Sequence, residues 1–169
     1  KFPVTPLFWP VQTFTEEILV FSRFWSDQLP IAGTLLCAIH TPNIGLLVLE
    51  SDPTTEIEFK NQLPDDNIYV SRIEYDDCCE LDNLDMEKQV IDASRKLPDL
   101  TFDYLVYACT SGSMVLGERV TTTLSYLFPS MCRVITPSFC IDKELQYRGV
   151  KKISLITPYV DEVHGMVAR

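Results

Sequence analysis

No run in the 169-residue chain approaches the roughly 20 consecutive apolar residues that a bilayer-crossing helix needs, so no membrane-spanning segment is expected. The N-terminus lacks the charged, apolar and small-residue order of a secretory leader. Basic residues are scarce: 14 Lys and Arg stand against 24 Asp and Glu, a net charge of -10, which excludes broad electrostatic attraction to nucleic acid or an anionic membrane surface. An acidic ligand would have to be held locally, by helix N-termini or single Arg and Lys side chains. No CxxC pair occurs, and only His40 and His164 could add imidazole, so no metal site is expected. The cysteines Cys37, Cys78, Cys79, Cys109, Cys132 and Cys140 do not resemble a disulfide framework either. Cys78 and Cys79 are adjacent, and a chain of this length does not need stapling. Reduced thiols and a cytoplasmic location are the expectation. A phosphate-loop glycine pattern is also missing, which weighs against a flavodoxin-like binding module.

What is present is an apolar content of 46%, ordinary for a globular protein with one core. Residues 1–43 stand apart, with Phe2, Phe8, Trp9, Phe14, Phe21, Phe24 and Trp25 in a short span. Phe14, Ile18, Phe21 and Trp25 recur at helical spacing, and Thr13 or Thr15 could cap an amphipathic helix there. From Ile44 the pattern becomes regular. Ile44 to Leu49 (IGLLVL) is a short apolar run of the kind buried on both faces of a parallel sheet. Asp52 then reads as an N-cap and Pro53 as the first residue of a helix reaching about Leu63. Further strands are expected at Asn67–Glu74, Asp103–Ala108, Arg133–Thr136 and Lys152–Thr157 (KISLIT). Helices are expected over Leu81–Leu97, over Met114–Phe128, from strand four to Arg148 with Gly149 as C-terminal cap, and from Pro158 onward. Strand and helix alternate five times, which implies an α/β fold with a mostly parallel sheet. A weak internal repeat, IGLLVLESDPTTE against ISLITPYVDE, suits two related lobes.

In such a sheet, ligands bind beyond the carboxyl ends of the strands. Three turns fall there: Ser51 to Thr55, Cys109 to Ser113, and Thr157 to Tyr159. The stretch VYACTSGS ends a buried strand at Cys109 and follows it with four small residues. Two readings stand. A cysteine between strand and helix has its thiolate stabilised by the helix dipole and nearby amides, giving a nucleophile or acid/base; alternatively it is a buried structural cysteine before a Ser-Gly turn. His40 and His164 belong to no motif and read as ordinary surface or satisfied residues.

The segments IGLLVLESDPTTEIEF, YVSRIEY, DYLVYACTSGSMVLGE, RVITPS and VKKISLITPYVDEV, in this order and spacing, resemble the aspartate/glutamate racemase superfamily. The branch is that of maleate cis-trans isomerase, arylmalonate decarboxylase and the ectoine-utilisation protein EutA. The resemblance covers residues 44–169. It implies a Rossmann/flavodoxin-like parallel sheet flanked by helices, one lobe of a pseudosymmetric two-lobe racemase fold. The divisions are 1–43 as an aromatic-rich extension, 44–150 as the first lobe, and 151–169 as the start of a second.

The chemistry implied is cofactor-independent isomerisation or racemisation of a small carboxylate or dicarboxylate by a homo-oligomeric enzyme, with Cys109 as the first-lobe catalytic thiol. Thr110, Ser111 and Tyr159 match positions expected to bind substrate carboxylates. Ser51 and Asp52 match the first-strand motif. Asp52 stands where the isomerases often carry Asn, which leaves a different substrate, a protonated carboxyl or a capping role, the last preferred. The second-lobe cysteine would lie beyond Arg169, since Cys132 precedes strand four and Cys140 sits within the following helix. With no initiating Met and an end inside an apparent helix, the chain reads as a fragment, so an inactive, truncated member or binding remnant is the alternative. An arylmalonate-type decarboxylase, which lacks the first-lobe cysteine, is a further one.

Overall fold

The computed structural model describes residues 41–74, 83–128 and 131–168. The aromatic helix expected over residues 14–25, together with Cys37, His40, Cys78 and Cys79, lies outside them. Four strands form one parallel sheet: β1 (Asn43–Leu49), β2 (Asn67–Ile73), β3 (Tyr104–Tyr107) and β4 (Arg133–Ile135), in the order β2-β1-β3-β4. Among the described residues six helices accompany it: α1 (Thr55–Gln62), α2 (Asn83–Ser94), α3 (Thr110–Leu116), α4 (Glu118–Leu127), α5 (Pro137–Tyr147) and α6 (Asp161–Val167). The α/β class expected from the alternation is the observed one. Among the described residues no helix is long and apolar enough to cross a membrane.

The apolar run of β1 has a direct cause in its central position. Flanked by β2 and β3 and covered on both faces, Leu46, Leu47 and Val48 are fully buried. Residues of one parity, Leu47 with Leu105, Tyr107 and Cys109, face a core that includes Met86, Val90, Val120 and Leu124 of α2 and α4. The other parity, Leu46, Val48, Val106 and Ala108, packs with Phe59 of α1. The period-two alternation of the strands thus fills two helical layers. Gly45 lets the chain close tightly, since a Cβ there would lie 2.8 Å from Leu105 Cδ1 and 2.9 Å from Leu97 Cδ1.

Two expectations are corrected. The helix over Met114–Phe128 is in fact two, starting earlier at Thr110 and broken at Gly117, whose φ of 57° and ψ of -138° suit glycine alone. The KISLIT strand does not form: residues 151–157 are irregular, and Ile153 and Ile156 are 59% and 85% exposed. An apolar run becomes a strand only with a ladder partner, and this segment pairs with no strand of the sheet. The last helix accordingly starts at Asp161 rather than Pro158. The Gly149 cap forms as expected, with φ 62° and with its amide and that of Val150 donating to Gln146 O and Leu145 O, both at 3.0 Å.

Candidate active site

The order β2-β1-β3-β4 reverses direction between β1 and β3, because the chain leaves β1 toward one edge and returns to its other side. That gap is a topological switch point, where open α/β sheets bind ligands beyond the carboxyl ends of the strands. The ladder pairs Leu47 with Tyr107. Carried two residues on, it sets Leu49 opposite Cys109, so the β1–α1 turn with Ser51 and Asp52 and the β3–α3 turn with Cys109, Thr110 and Ser111 leave adjacent strands at the same end of the sheet.

Cys109 is the N-cap of α3, with extended backbone, and is 5% exposed. Its Sγ accepts from the Gly112 amide at 3.4 Å and lies 3.8 Å from Ser111 Oγ. Thr110 and Ser111 are half-buried, and among the described residues their amides take no hydrogen-bond partner. The neighbouring helix starts are occupied differently. At α5, Thr136 Oγ1 accepts from the Phe139 amide at 3.3 Å and Ser113 Oγ from the Ser138 amide at 3.2 Å. At α1, Asp52 Oδ1 accepts from the Thr54 and Thr55 amides at 2.9 and 3.0 Å, and Oδ2 accepts from Thr55 Oγ1 at 2.5 Å. Among the described residues, the first two amides of α3, those of Thr110 and Ser111, are thus open where the α1 and α5 starts are capped.

The Asp52 geometry corrects one detail and supports another. Helix α1 starts at Thr55 with Thr54 at its N-cap position, so neither Asp52 as N-cap nor Pro53 as first helical residue holds; the Asp52 carboxylate instead takes the Thr54 and Thr55 amides from upstream of the cap. Burial opposes ionisation of Asp52, but hydrogen bonds from Thr55 and Thr54 outweigh it and hold the carboxyl below its ordinary range. A depressed folded-state pKa stabilises the protein above the unfolded carboxyl value of about 3.9, and that contribution disappears as pH falls through the folded value. Asp52→Ala is thus expected to cost about 1 kcal/mol at pH 7. In urea melts the gap between wild type and variant should shrink under acid, and a gap of equal size at both pH values would sink this account.

Arg72 of β2 locks the same turn, donating from Nη1 to Leu49 O at 3.2 Å and Asp52 O at 2.6 Å, and from Nη2 to Glu56 at 3.0 Å. Lys60 first, and then Arg72, hold Glu56 below the usual carboxylate range against its partial burial. Ser51 is exposed on the turn. Tyr159 is half-buried in the bend before α6, a helix that packs against α3. His164 on α6 is satisfied by Thr157 Oγ1 at 2.8 Å from Nδ1. Sequence reasoning gave no role to Arg72, Thr136 or Ser138, and took Ser113 only as one hydroxyl of the turn after Cys109. The only local trace was the Thr-Pro pair at 136–137, a cap followed by a helix-starting proline.

Cys132 lies just before β4, at the amino edge, with its thiol pushed up to about 11 by burial and then by the charge of Asp103. Cys140 lies in the first turns of α5. A cavity of about 420 Å³, lined by Lys60, Pro64, Asp66, Asn67 and Tyr69 among others, also opens at the amino edge, away from the switch point. Among the described residues no group of three or more His, Cys, Asp or Glu side chains is placed to hold a metal ion.

These features define a doubly wound α/β protein with a thiol and two open amides at the carboxyl edge of its parallel sheet. No family model matches the chain, and no curated protein matches it in sequence. A solved structure does: the maleate isomerase Iso from Pseudomonas putida S16 aligns with a TM-score of 0.58 at 19% identity, over 76% of this chain. The likeness is one of fold. The aligned part spans 58% of that enzyme's chain.

Proposed function

We propose that the chain carries the first thiol-bearing lobe of a cofactor-independent isomerase acting on a small carboxylate or dicarboxylate, with maleate as the first substrate to try. The observation that carries this reading is Cys109 at the switch point, its Sγ accepting from Gly112 N at 3.4 Å beside the open amides of Thr110 and Ser111. An amide donor and a helix start both favour the anionic form of the sulfur. In this reading the thiolate adds to one alkene carbon, and the π pair moves to the other carbon and its carboxylate. Rotation about the new single bond follows, and expulsion of the thiolate restores the alkene in the trans form. The step is redox-neutral and needs no co-reactant. Thr110 and Ser111 hold a substrate carboxylate through amides and hydroxyls, Tyr159 closes on it from the α6 side, Ser51 lines the β1 turn, and Asp52 keeps that turn in shape. On an amino acid the same thiol would remove the α-proton, and a second acid would return it from the other face.

The 5% exposure of Cys109 favours a second reading, in which the thiol is part of the α2–α4 core and the chain is catalytically silent. Proton NMR of maleate incubated with the chain separates them. Growth of the trans isomer above the protein-free rate supports the first reading, and no growth supports the second.

A further inference from the structure

We infer that Ser113 is the positioning residue of Cys109, the group through which α5 sets the geometry of the thiol-bearing turn; this rests on reading Cys109 as the reacting thiol. Ser113 sits four residues after Cys109 and is fully buried. Each of its polar groups is engaged. Its amide donates to Cys109 O at 2.9 Å, and its carbonyl accepts from the Gly117 amide at 3.0 Å and from the Ser138 hydroxyl at 3.4 Å. Its hydroxyl donates to Thr110 O at 2.9 Å and accepts from the Ser138 amide at 3.2 Å.

Donation to a carbonyl one turn back is what serine hydroxyls commonly do inside helices. Acceptance by the same oxygen from another helix is the informative part. A first-turn amide ordinarily finds its cap in the residue that precedes its own helix. In α5, Thr136 serves Phe139 in that way, but Ser138 turns instead to α3. One oxygen therefore ties the start of α5 to the carbonyl of Thr110, the residue between Cys109 and the amide side of the site. Thr136 and Ser138 share a further bond, 3.0 Å between their hydroxyls, which stiffens the α5 side of the link. Alanine at 113 would keep the packing volume, remove the tie, and leave the Ser138 amide without its acceptor. The first turn of α3 could then relax, and the Gly112 amide would lose its alignment on Sγ.

The test follows the Cys109 thiolate directly. Ultraviolet thiolate absorbance of the full chain is titrated with pH, and the Cys109→Ser titration is subtracted. Ser113→Ala should raise the midpoint by about one pH unit, a roughly tenfold loss of thiolate below it, and Ser113→Thr, which keeps the hydroxyl, should restore it. Titratable groups on the surrounding elements include Glu50 and Asp52 on the β1–α1 turn, Glu87 on α2, Cys140 on α5, and Asp161 and His164 on α6. Neither substitution alters them. An unchanged midpoint in folded Ser113→Ala, or a shift that Ser113→Thr shares in full, overturns the inference. Should Ser113→Ala fail to fold, the coupling is read in wild type, because coupling between two sites is reciprocal. Alkylating Cys109 should then speed hydrogen exchange at the Ser138 and Phe139 amides about tenfold, and unchanged exchange overturns the inference. Neither readout depends on turnover, so failure to isomerise maleate would remove the functional reading while leaving the Ser113 result to stand or fall separately.

Discussion

Under the proposed thiolate mechanism, Cys109→Ser should lower kcat/KM for the trial substrate maleate at least about a thousandfold, roughly 4 kcal/mol of transition-state stabilisation, while leaving the fold intact. A serine hydroxyl in the same place is nearly the same size and can still accept from Gly112 N, so the α3 cap survives. What it cannot do at neutral pH is supply an anionic nucleophile, because a serine hydroxyl is a far weaker acid than a thiol and stays protonated unless a paired base takes its proton. The companion measurement is the thiolate midpoint of wild-type Cys109, expected below the unperturbed value of about 8.5. Retained turnover in the serine variant, or a midpoint above that value, would place Cys109 in the core as a structural residue. Cys132→Ser is the internal control. With a thiol held up to about 11 and a position at the far edge of the sheet, Cys132 stays protonated at neutral pH, and its loss should not change turnover.

What could be read in advance was local, and what could not was long-range. The apolar run of β1 announced a strand buried on both faces, and β1 is central in the sheet. The glycine after α5 was legible, and so was a carboxylate serving the start of α1, though the N-cap itself is Thr54 rather than Asp52, because capping chemistry depends on neighbours one to three residues away. The break at Gly117 was not, since glycine inside a helical pattern is tolerated and only the packing of α3 and α4 decides whether its φ turns positive. KISLIT carried the composition of a strand but nothing about a partner. Among site residues, the turn bearing Cys109 stood out because a β-rich run meets four small residues there. Arg72 was invisible because the carbonyls it grips belong to a turn about twenty residues upstream. Ser113 and Ser138, 25 residues apart, meet only once β4 has brought α5 beside α3.

Phe102→Ala should destabilise the domain by about 3–5 kcal/mol, a large share of the 5–15 kcal/mol that holds a typical domain folded. Phe102 is 2% exposed and meets two rings edge-on: Tyr69 at 5.7 Å and 81°, and Phe128 at 6.1 Å and 73°. Those rings come from β2 and from the end of α4, so the phenyl group joins the sheet to its helical layer at the amino edge. Truncation forfeits the buried area and both aromatic contacts, and it opens a void bounded by Leu97 and Leu105, side chains already packed against Gly45. Urea denaturation reads the loss, and Phe102→Leu, which refills most of the volume, should recover more than half of it. A loss under 1 kcal/mol for the alanine variant would show that the amino edge collapses onto the void. Because Phe102 lies at the opposite end of the strands from Cys109, the thiolate midpoint of the folded fraction should stay at its wild-type value. Stability and thiol chemistry then separate at Phe102: its loss moves the melt and leaves the thiol at the other end of the strands unchanged.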